Sequence, residues 1–480
     1  MKRLLARTAL ATPLVLLACS ELFEEPSQCS NDGDCVRFNA VCDVARAVCV
    51  TGTPGGDEAG TDTDTGTTEP LDSSTPESTV TKQCTGANKP IAAIGTKVDG
   101  GDGGTGEITG NVTLDCEKDW TLEGHVFVRS GATLTIEAGT TIRAKKGTNA
   151  ALVVSPGGRI IANGEKDLPI VFTSDAAAPT AGDWRGLFLL GVAPPAARAP
   201  FEDDPQLVWG GANAEDDSGS LHYVRVEYAR NGLVLAGVGR KTKIDFVQVR
   251  KTIDNCFFFY GGTVDAKHLV CQYPGDEQLE TLEGYTGRLQ FLFLQKTPTG
   301  NVFNRNGLLL DDSKPVLYNA TVVGDTVPNF GYGLVFRYGV SMDVANVLFT
   351  GWYGGVDAVG DVSAPNELRG SIAFANPTNP AYAEDPDEQD PDSPTYDDDN
   401  GFDELAWFNA QARGNSTTAP TLMDAHDSKN PQPWPKNPIT TNARTPPNDG
   451  FFDNTATYIG AFKDDQDKWI NGAWTRFDDK

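Results

Sequence analysis

The chain is predicted to fold as an all-β parallel β-helix of about ten coils with a C-terminal covering segment, preceded by a small disulfide-rich knot and a disordered linker. Three observations predict this. Val126, Val128, Gly131, Leu134 and Ile136 recur as Leu152, Val154, Gly157, Ile160 and Ala162, each 26 residues on. Seven later strand-like phrases align at steps of 21 to 28 residues. A period near 25 with several short strands matches one coil of a parallel β-helix, whereas a β-propeller blade needs about 40 residues or more. A leucine-rich repeat would show an Asn-punctuated Leu framework and a helical segment, and neither is present. Finally, 51 Gly and only three Met among 480 residues suit turn-rich β structure better than a helical bundle.

The elements follow in chain order. Lys2, Arg3 and Arg7 precede a short apolar run from Leu10 to Ala18, too short to span a bilayer. It ends in Leu16-Leu17-Ala18-Cys19, which resembles the lipobox of bacterial lipoprotein precursors. The resemblance implies a signal peptide over 1–18, diacylglycerol on the Cys19 thiol, and acylation (palmitate) of the new amino group. Ser20 rather than Asp after it favours, by the same resemblance, the outer membrane of a Gram-negative bacterium. Lipid would then be the only membrane anchor.

Setting Cys19 aside leaves eight of the nine cysteines, an even number that suits an oxidising compartment. Cys29, Cys35, Cys42 and Cys49 lie within 21 residues with almost no apolar core between them, so the knot over 19–50 needs disulfides to hold a shape. Any of three pairings is open. Zinc is the rival, but no C-x2-C knuckle is present. Cys84 with Cys116 and Cys256 with Cys271 are the simplest remaining pairs. Residues 51–82, rich in Thr, Gly, Ser, Asp and Pro, form a linker with an r.m.s. span of roughly 30 Å.

The β-helix domain is placed at 83–380, with a Pro/Ala/Asp-rich insertion over 192–217. Its later strands align in two columns. One holds Val224, Val247, His268, Leu292, Ala320, Val347 and Ile372; the other, two residues on, holds Val226, Val249, Val270, Leu294, Val322, Phe349 and Phe374. Residues i and i+2 share a strand face, so both columns are expected to point inward. The residues between them are Arg225, Gln248, Leu269, Phe293, Thr321, Leu348 and Ala373, polar at first and apolar later. A polar start reads as a solvated face. Apolar residues on both faces mean both faces are covered, so a cover is expected from Leu269 onward, supplied by the aromatic-rich segment within 381–480; the alternative is an exposed partner-binding patch.

From Glu384 to Glu404 there are 11 acidic residues and no Lys or Arg. Such a run reads as a solvated loop. The EF-hand pattern fails, with Phe402 where Gly is required and Phe408 where Glu is required. Ca2+ is the one cofactor left open, and no metal ligands are assigned.

Further along, "GATLTIEAGTTI" (131–142), "ALVVSPGGRIIANGEKDLPIVFTS" (151–174), "DWRGLFLLG" (183–191), "FFFYGGTVDAKHLV" (257–270) and "ATYIGAFKDDQDKWINGAWTRF" (456–477) resemble segments of right-handed β-helix proteins on Gram-negative bacterial surfaces. The cysteine knot followed by a Thr/Asp linker resembles lipoproteins of myxobacterial type. The resemblance implies a right-handed coil and a cell-surface location, not a reaction.

Chemistry is harder to find. A net charge of -27 disfavours nucleic acid and anionic membrane surfaces as partners. There are four His, no G-x-S-x-G elbow, no H-E-x-x-H and no phosphate-binding G-x-x-x-x-G-K-[ST]. His268 reads as a core histidine. Parallel β-helices often host polysaccharide lyases and hydrolases, and hydrolases need two facing carboxylates. The one neighbourhood combining acidic, aromatic and basic residues runs from Asp254 to Asp312, with Asp254, Asp276, Glu277, Glu280, Glu283, Tyr285, Arg288, Arg305, Asp311 and Asp312. The expected function is structural or adhesive, binding an extracellular glycan or a surface protein without catalysis. The alternatives are a polysaccharide-active enzyme using these carboxylates, and a scaffold with no ligand.

Overall fold

The computed structural model describes two short strands, Val41–Asp43 and Val48–Val50, and then the chain from Cys84 to Phe477 apart from 85–88, 95, 99–104, 197–199, 297–305, 326–330, 375–398 and 400. Cys19, Cys29, Cys35, the linker 51–82, Arg305 and most of the acidic run lie outside the described residues. The chain divides into two units, Met1–Thr79 and Val80–Lys480. In the first, the two strands pair antiparallel with Cys42 opposite Cys49.

The second unit is a right-handed parallel β-helix. Its coils pass alternately through an 11-stranded and a 15-stranded sheet, and ten parallel strands of the former, from Thr105–Ile108 to Gly354–Val359, count the coils. The doubled phrase makes adjacent coils as its period requires: Val126 pairs with Leu152 and Leu134 with Ile160. Gly131 and Gly157 take φ of 81° and 79° at the turns, a left-handed conformation that glycine adopts without a Cβ clash.

Early coils enter the larger sheet as two short strands, such as Arg159–Asn163 and Ile170–Ser174. Both pair with the single nine-residue strand Gly219–Glu227. From there each coil carries one long strand bent at one left-handed residue: Tyr223, Phe246, His268, Phe291, Asn319 and Asn346, with φ between 48° and 62°. A non-glycine residue there costs roughly 1 kcal/mol. Ring stacking offsets this, with centroids 4.6 Å apart for Tyr223–Phe246, 4.1 Å for Phe246–His268 and 5.0 Å for His268–Phe291.

This corner corrects the expected columns. Register aligns Val224, Val247, Leu269, Leu292, Ala320 and Val347, and then Val226, Val249, Cys271, Leu294, Val322 and Phe349, all facing the core. His268 is a corner residue rather than an inward one, and Val270 faces outward. The same one-residue slip occurs in the last strand, where Ala373 pairs with Phe349 and faces inward, and Ile372 and Phe374 do not. Leu269-Val270 and Ile372-Ala373 are apolar on both faces, so alternation cannot fix their phase.

The ends are closed by other elements. A short helix, α1 (Glu404–Asn409), is capped by the Asp403 side chain accepting from the Ala406 N–H, and it buries Phe408 in the end of the core. Trp407 stacks on Phe336 at 5.3 Å. Disulfides join Cys84 to Cys116 and Cys256 to Cys271.

The cover is real and starts earlier than expected. The outward column is Arg225, Gln248, Val270, Phe293, Thr321, Leu348 and Ile372. Val270 and Phe293 pack against Trp434, Phe462, Ile470 and Trp474, and Leu348 and Ile372 pack on Ile459. Burying each aromatic contributes about 2 kcal/mol. The early polar members are not solvated. Gln248 is fully buried and donates to the Arg476 carbonyl at 3.0 Å while accepting from its N–H at 2.8 Å. Gln290 makes the same reciprocal pair with Asp453, at 3.1 and 2.8 Å, and Asn346 with Arg444, at 2.7 Å both ways. Asn319 donates to the carbonyls of Ala456 and Tyr458. Outward amides thus hold the main chain of the C-terminal segment as a neighbouring strand would.

Candidate functional site

The outward face of the smaller sheet divides into two parts. Over its early coils the insertion lays Phe201, Leu207 and Trp209 on Phe127, Phe188, Val234 and Phe258. Phe201 meets Tyr260 edge to face at 4.9 Å. Beyond the insertion the strands Leu279–Leu282, Leu308–Asp311 and Tyr332–Arg337 present Glu280, Asp311 and Arg337 outward, since their alternate residues Leu279, Leu308 and Leu334 fill the core. Arg337 donates to Asp311 at 2.9 Å.

Two residues before each short strand lies a second stack. Pairing of Leu233, Phe257, Leu279 and Leu308 sets Asn231, Asn255, Glu277 and Asn306 one above another. Asn255 accepts from the Glu277 N–H at 2.9 Å and donates to Glu280 at 2.7 Å. Asn306 donates to Glu277 at 3.4 Å and accepts from the Tyr332 N–H at 2.9 Å. Glu277 stands where its neighbours carry an amide, and it is 8 % exposed. Burial, with Asp276 and Glu280 beside it, pushes its carboxyl up to about 8. Burial pushes Glu280 up to about 7, opposed by the Arg337 guanidinium and the Asn255 hydrogen bond. Carboxyls poised near neutrality can give or take a proton.

The structure brings Asp276, Glu277 and Glu280 together and disperses the other expected residues. Asp254 is ion-paired to Arg230 at 2.9 Å. Glu283 occupies a left-handed turn position, with φ of 54°. Tyr285 is fully buried in the core, donating to the Val264 carbonyl at 2.8 Å. Arg288 lies on the larger sheet, paired with Asp265 and, at 2.8 Å, with Asp449. Asn255, Asn306 and Arg337 were not anticipated. The amides at 231, 255 and 306 carry a coil-spaced signal, each two residues ahead of a short strand.

Other chemistry finds little support. His268 faces Asp245 at 2.7 Å, and His222 faces it at 3.9 Å. Burial lowers the affinity of His125 and His426 for protons. Of the acidic run, Asp399 accepts from the N–H groups of Gly401 and Phe402, and Glu404 is pushed up to about 9 by burial and by Asp399. Among the described residues no three His, Cys, Asp or Glu side chains converge as a metal site.

Residues 106–425 match a protein-family model described as a pectate-lyase like beta helix domain. No curated protein and no solved structure matches the chain.

Proposed function

The chain belongs to the pectate-lyase-like β-helix family, and from that premise we propose that it is a lipid-anchored cell-surface protein that binds a glycan or a protein partner without turning it over. The family includes polysaccharide-active enzymes and non-catalytic proteins alike. The observation that carries the non-catalytic reading is that the polar residues of the candidate site are engaged with one another. Asp311 is held by Arg337, Glu280 by Asn255 and Glu277 by Asn306. On the larger sheet, the outward column from Val270 to Ile372 is occupied by the chain's own C-terminal segment. Anchoring rests on Leu16-Leu17-Ala18-Cys19 and on the tether after it. Among the described residues no helix is long and apolar enough to cross a membrane.

The test is a glycan array paired with lyase and hydrolase assays on the full chain. Retention of a glycan with no release of unsaturated or reducing ends is expected. Turnover would overturn the non-catalytic reading, and a blank array with no captured protein would leave a scaffold.

The enzymatic reading is favoured by one observation, the grouping of Glu277 and Glu280 around Asn255, where burial pushes both carboxyls up. If it is correct, Glu277→Gln with Glu280→Gln abolishes depolymerisation. Turnover that survives both changes removes these residues from the chemistry.

A further inference from the structure

Asn-Gly dipeptides stand at 163–164, 231–232, 306–307, 400–401 and 471–472. The pair carries a chemistry of its own, because the glycine amide nitrogen can attack the asparagine side-chain carbonyl carbon and close a five-membered ring. Glycine permits the approach because it has no Cβ and its dihedrals turn freely. The step requires a glycine N–H without an acceptor and an asparagine side chain free to turn.

Asn400 lies outside the described residues, and three of the four other pairs fail these conditions. Gly164 donates its N–H to the His222 carbonyl at 2.7 Å, while Asn163 accepts from the Ser220 hydroxyl at 2.8 Å. Gly232 donates to the Asn255 carbonyl at 3.1 Å, and the fully buried Asn231 donates to Glu202 at 3.0 Å. Gly307 donates to the Tyr332 carbonyl at 2.9 Å, and Asn306 is held between Glu277 and the Tyr332 N–H. In each pair a hydrogen bond to another coil holds the reacting nitrogen.

Asn471-Gly472 meets both conditions. Both residues are exposed. Among the described residues nothing accepts the Gly472 N–H, and the Asn471 side chain has no hydrogen-bond partner. Asn471 is tied only by its own N–H, which donates to the Lys468 carbonyl at 2.9 Å. The residues on either side are fixed. Ile470 is buried and Trp474 fully so. Trp474 donates its N–H to the Lys166 carbonyl at 3.0 Å and its indole N–H to the Trp469 carbonyl at 3.3 Å. Arg225 donates to the Ala473 carbonyl at 2.8 Å. A short, loose tip is thus strung between two tight anchors.

We propose that Asn471 is a site of spontaneous deamidation, and that its isoaspartyl product loosens the Trp474 anchor of the C-terminal segment. The Gly472 nitrogen bonds to Asn471 Cγ and gives up its proton, and ammonia leaves. Water then breaks one of the two C–N bonds of the ring. Breaking the bond to Cγ leaves aspartate. Breaking the bond to the main-chain carbonyl carbon leaves isoaspartate, whose main chain runs through Cβ and is one carbon longer. No oxidant or cofactor enters the balance. The new carboxylate sits on an exposed tip beside the Lys166 side chain, so the charge is readily tolerated. The added carbon is not, because Ile470 and Trp474 are both held in place.

The experiment ages the full chain in mildly alkaline buffer and follows it by peptide mapping, with electron-transfer fragmentation to identify isoaspartate. Asn471 should convert at least roughly tenfold faster than Asn163, Asn231 and Asn306, which react only from locally opened states. Hydrogen exchange at the Trp474 N–H should quicken in the aged protein. Asn471→Asp, which adds the charge without the carbon, should keep the protection of the fresh chain. Asn471→Gln, which would have to close a six-membered ring, should survive ageing intact and protected. Conversion at Asn471 no faster than at the three engaged pairs overturns the site. Full conversion with unchanged exchange at Trp474 overturns the loosening. Equal loss of protection in aged Asn471→Gln, or in fresh Asn471→Asp, overturns the added carbon as its cause.

Discussion

Asn319→Ala should loosen the C-terminal segment from the β-helix. Asn319 is fully buried and left-handed, with φ of 58°. It donates to the carbonyls of Ala456 at 3.1 Å and Tyr458 at 2.7 Å, and it accepts from Gln290 at 3.1 Å. Ala456 and Tyr458 are themselves buried, so water cannot replace the lost donor without opening the interface. Three hydrogen bonds at about 1 kcal/mol each, and about 1 kcal/mol for placing alanine where asparagine is tolerated, give a loss of about 4 kcal/mol. Hydrogen exchange reads this directly. Amides of the segment, such as Ile459 and Gly460, which bond to Ile439 and Asn346, should exchange roughly a thousandfold faster if opening is local. The inward columns should keep their protection. A loss below about 1 kcal/mol with unchanged exchange at 456–462 would refute the view that outward amides hold this segment.

Three further outcomes follow from the same structure. Glu277 and Glu280, held up to about 8 and about 7 against 4.5 for the free side chain, favour a fold in which they are protonated. Their contribution to stability is therefore complete below about pH 4.5 and lost as pH rises through 7 and 8. Glu277→Gln should flatten the decline in unfolding free energy, read from urea titrations between pH 5 and 9, by an amount on the order of 3 kcal/mol; an unaltered decline would contradict its burial. Replacing Cys256 and Cys271 by Ala should cost about 3 kcal/mol, because their disulfide closes a loop of 15 residues, and calorimetry would show the lowered melting temperature. Cys19→Ala should abolish metabolic labelling with palmitate and release the protein from membranes, and persistent labelling would remove the proposed anchor.

The legibility of the fold was uneven along the chain. The doubled phrase at 126–162 could be read because its coils have clean alternation, with Leu134 and Ile136 in and Thr135 out. The long strands were read with the right period and, in two places, the wrong phase. There the outward residue is apolar too, and only pairing with Val247 and Val249 tells that Leu269 and Cys271 face inward. The corner column was visible as Tyr223, Phe246, Phe291, Asn319 and Asn346, always one residue ahead of the inward column. His268 falls into line there once the phase is set.

The candidate site was less legible. Asp276, Glu277 and Glu280 are close in sequence, so their grouping was readable. Asn255, Asn306 and Arg337 reach them only through coil stacking: Asn255 and Asn306 are 22 and 29 residues from Glu277, and Arg337 acts on Glu280 from two coils away. Tyr285 and Arg288 differ by three residues yet end in the core and on the larger sheet, because the chain turns between them.

By itself the sequence determined the β-helix, its coil period, the disulfide pairs of the second unit and the presence of a cover. Each of these follows from local spacing and composition. Only the tertiary structure decided the phase of the long strands, the amide grip on the C-terminal segment and the partners that Asn255, Asn306 and Arg337 bring to the carboxyl cluster. These depend on which residues of different coils come within a few ångströms of one another. A repeat period fixes which coil lies next, but not which side chain of it completes a hydrogen bond or neutralises a charge.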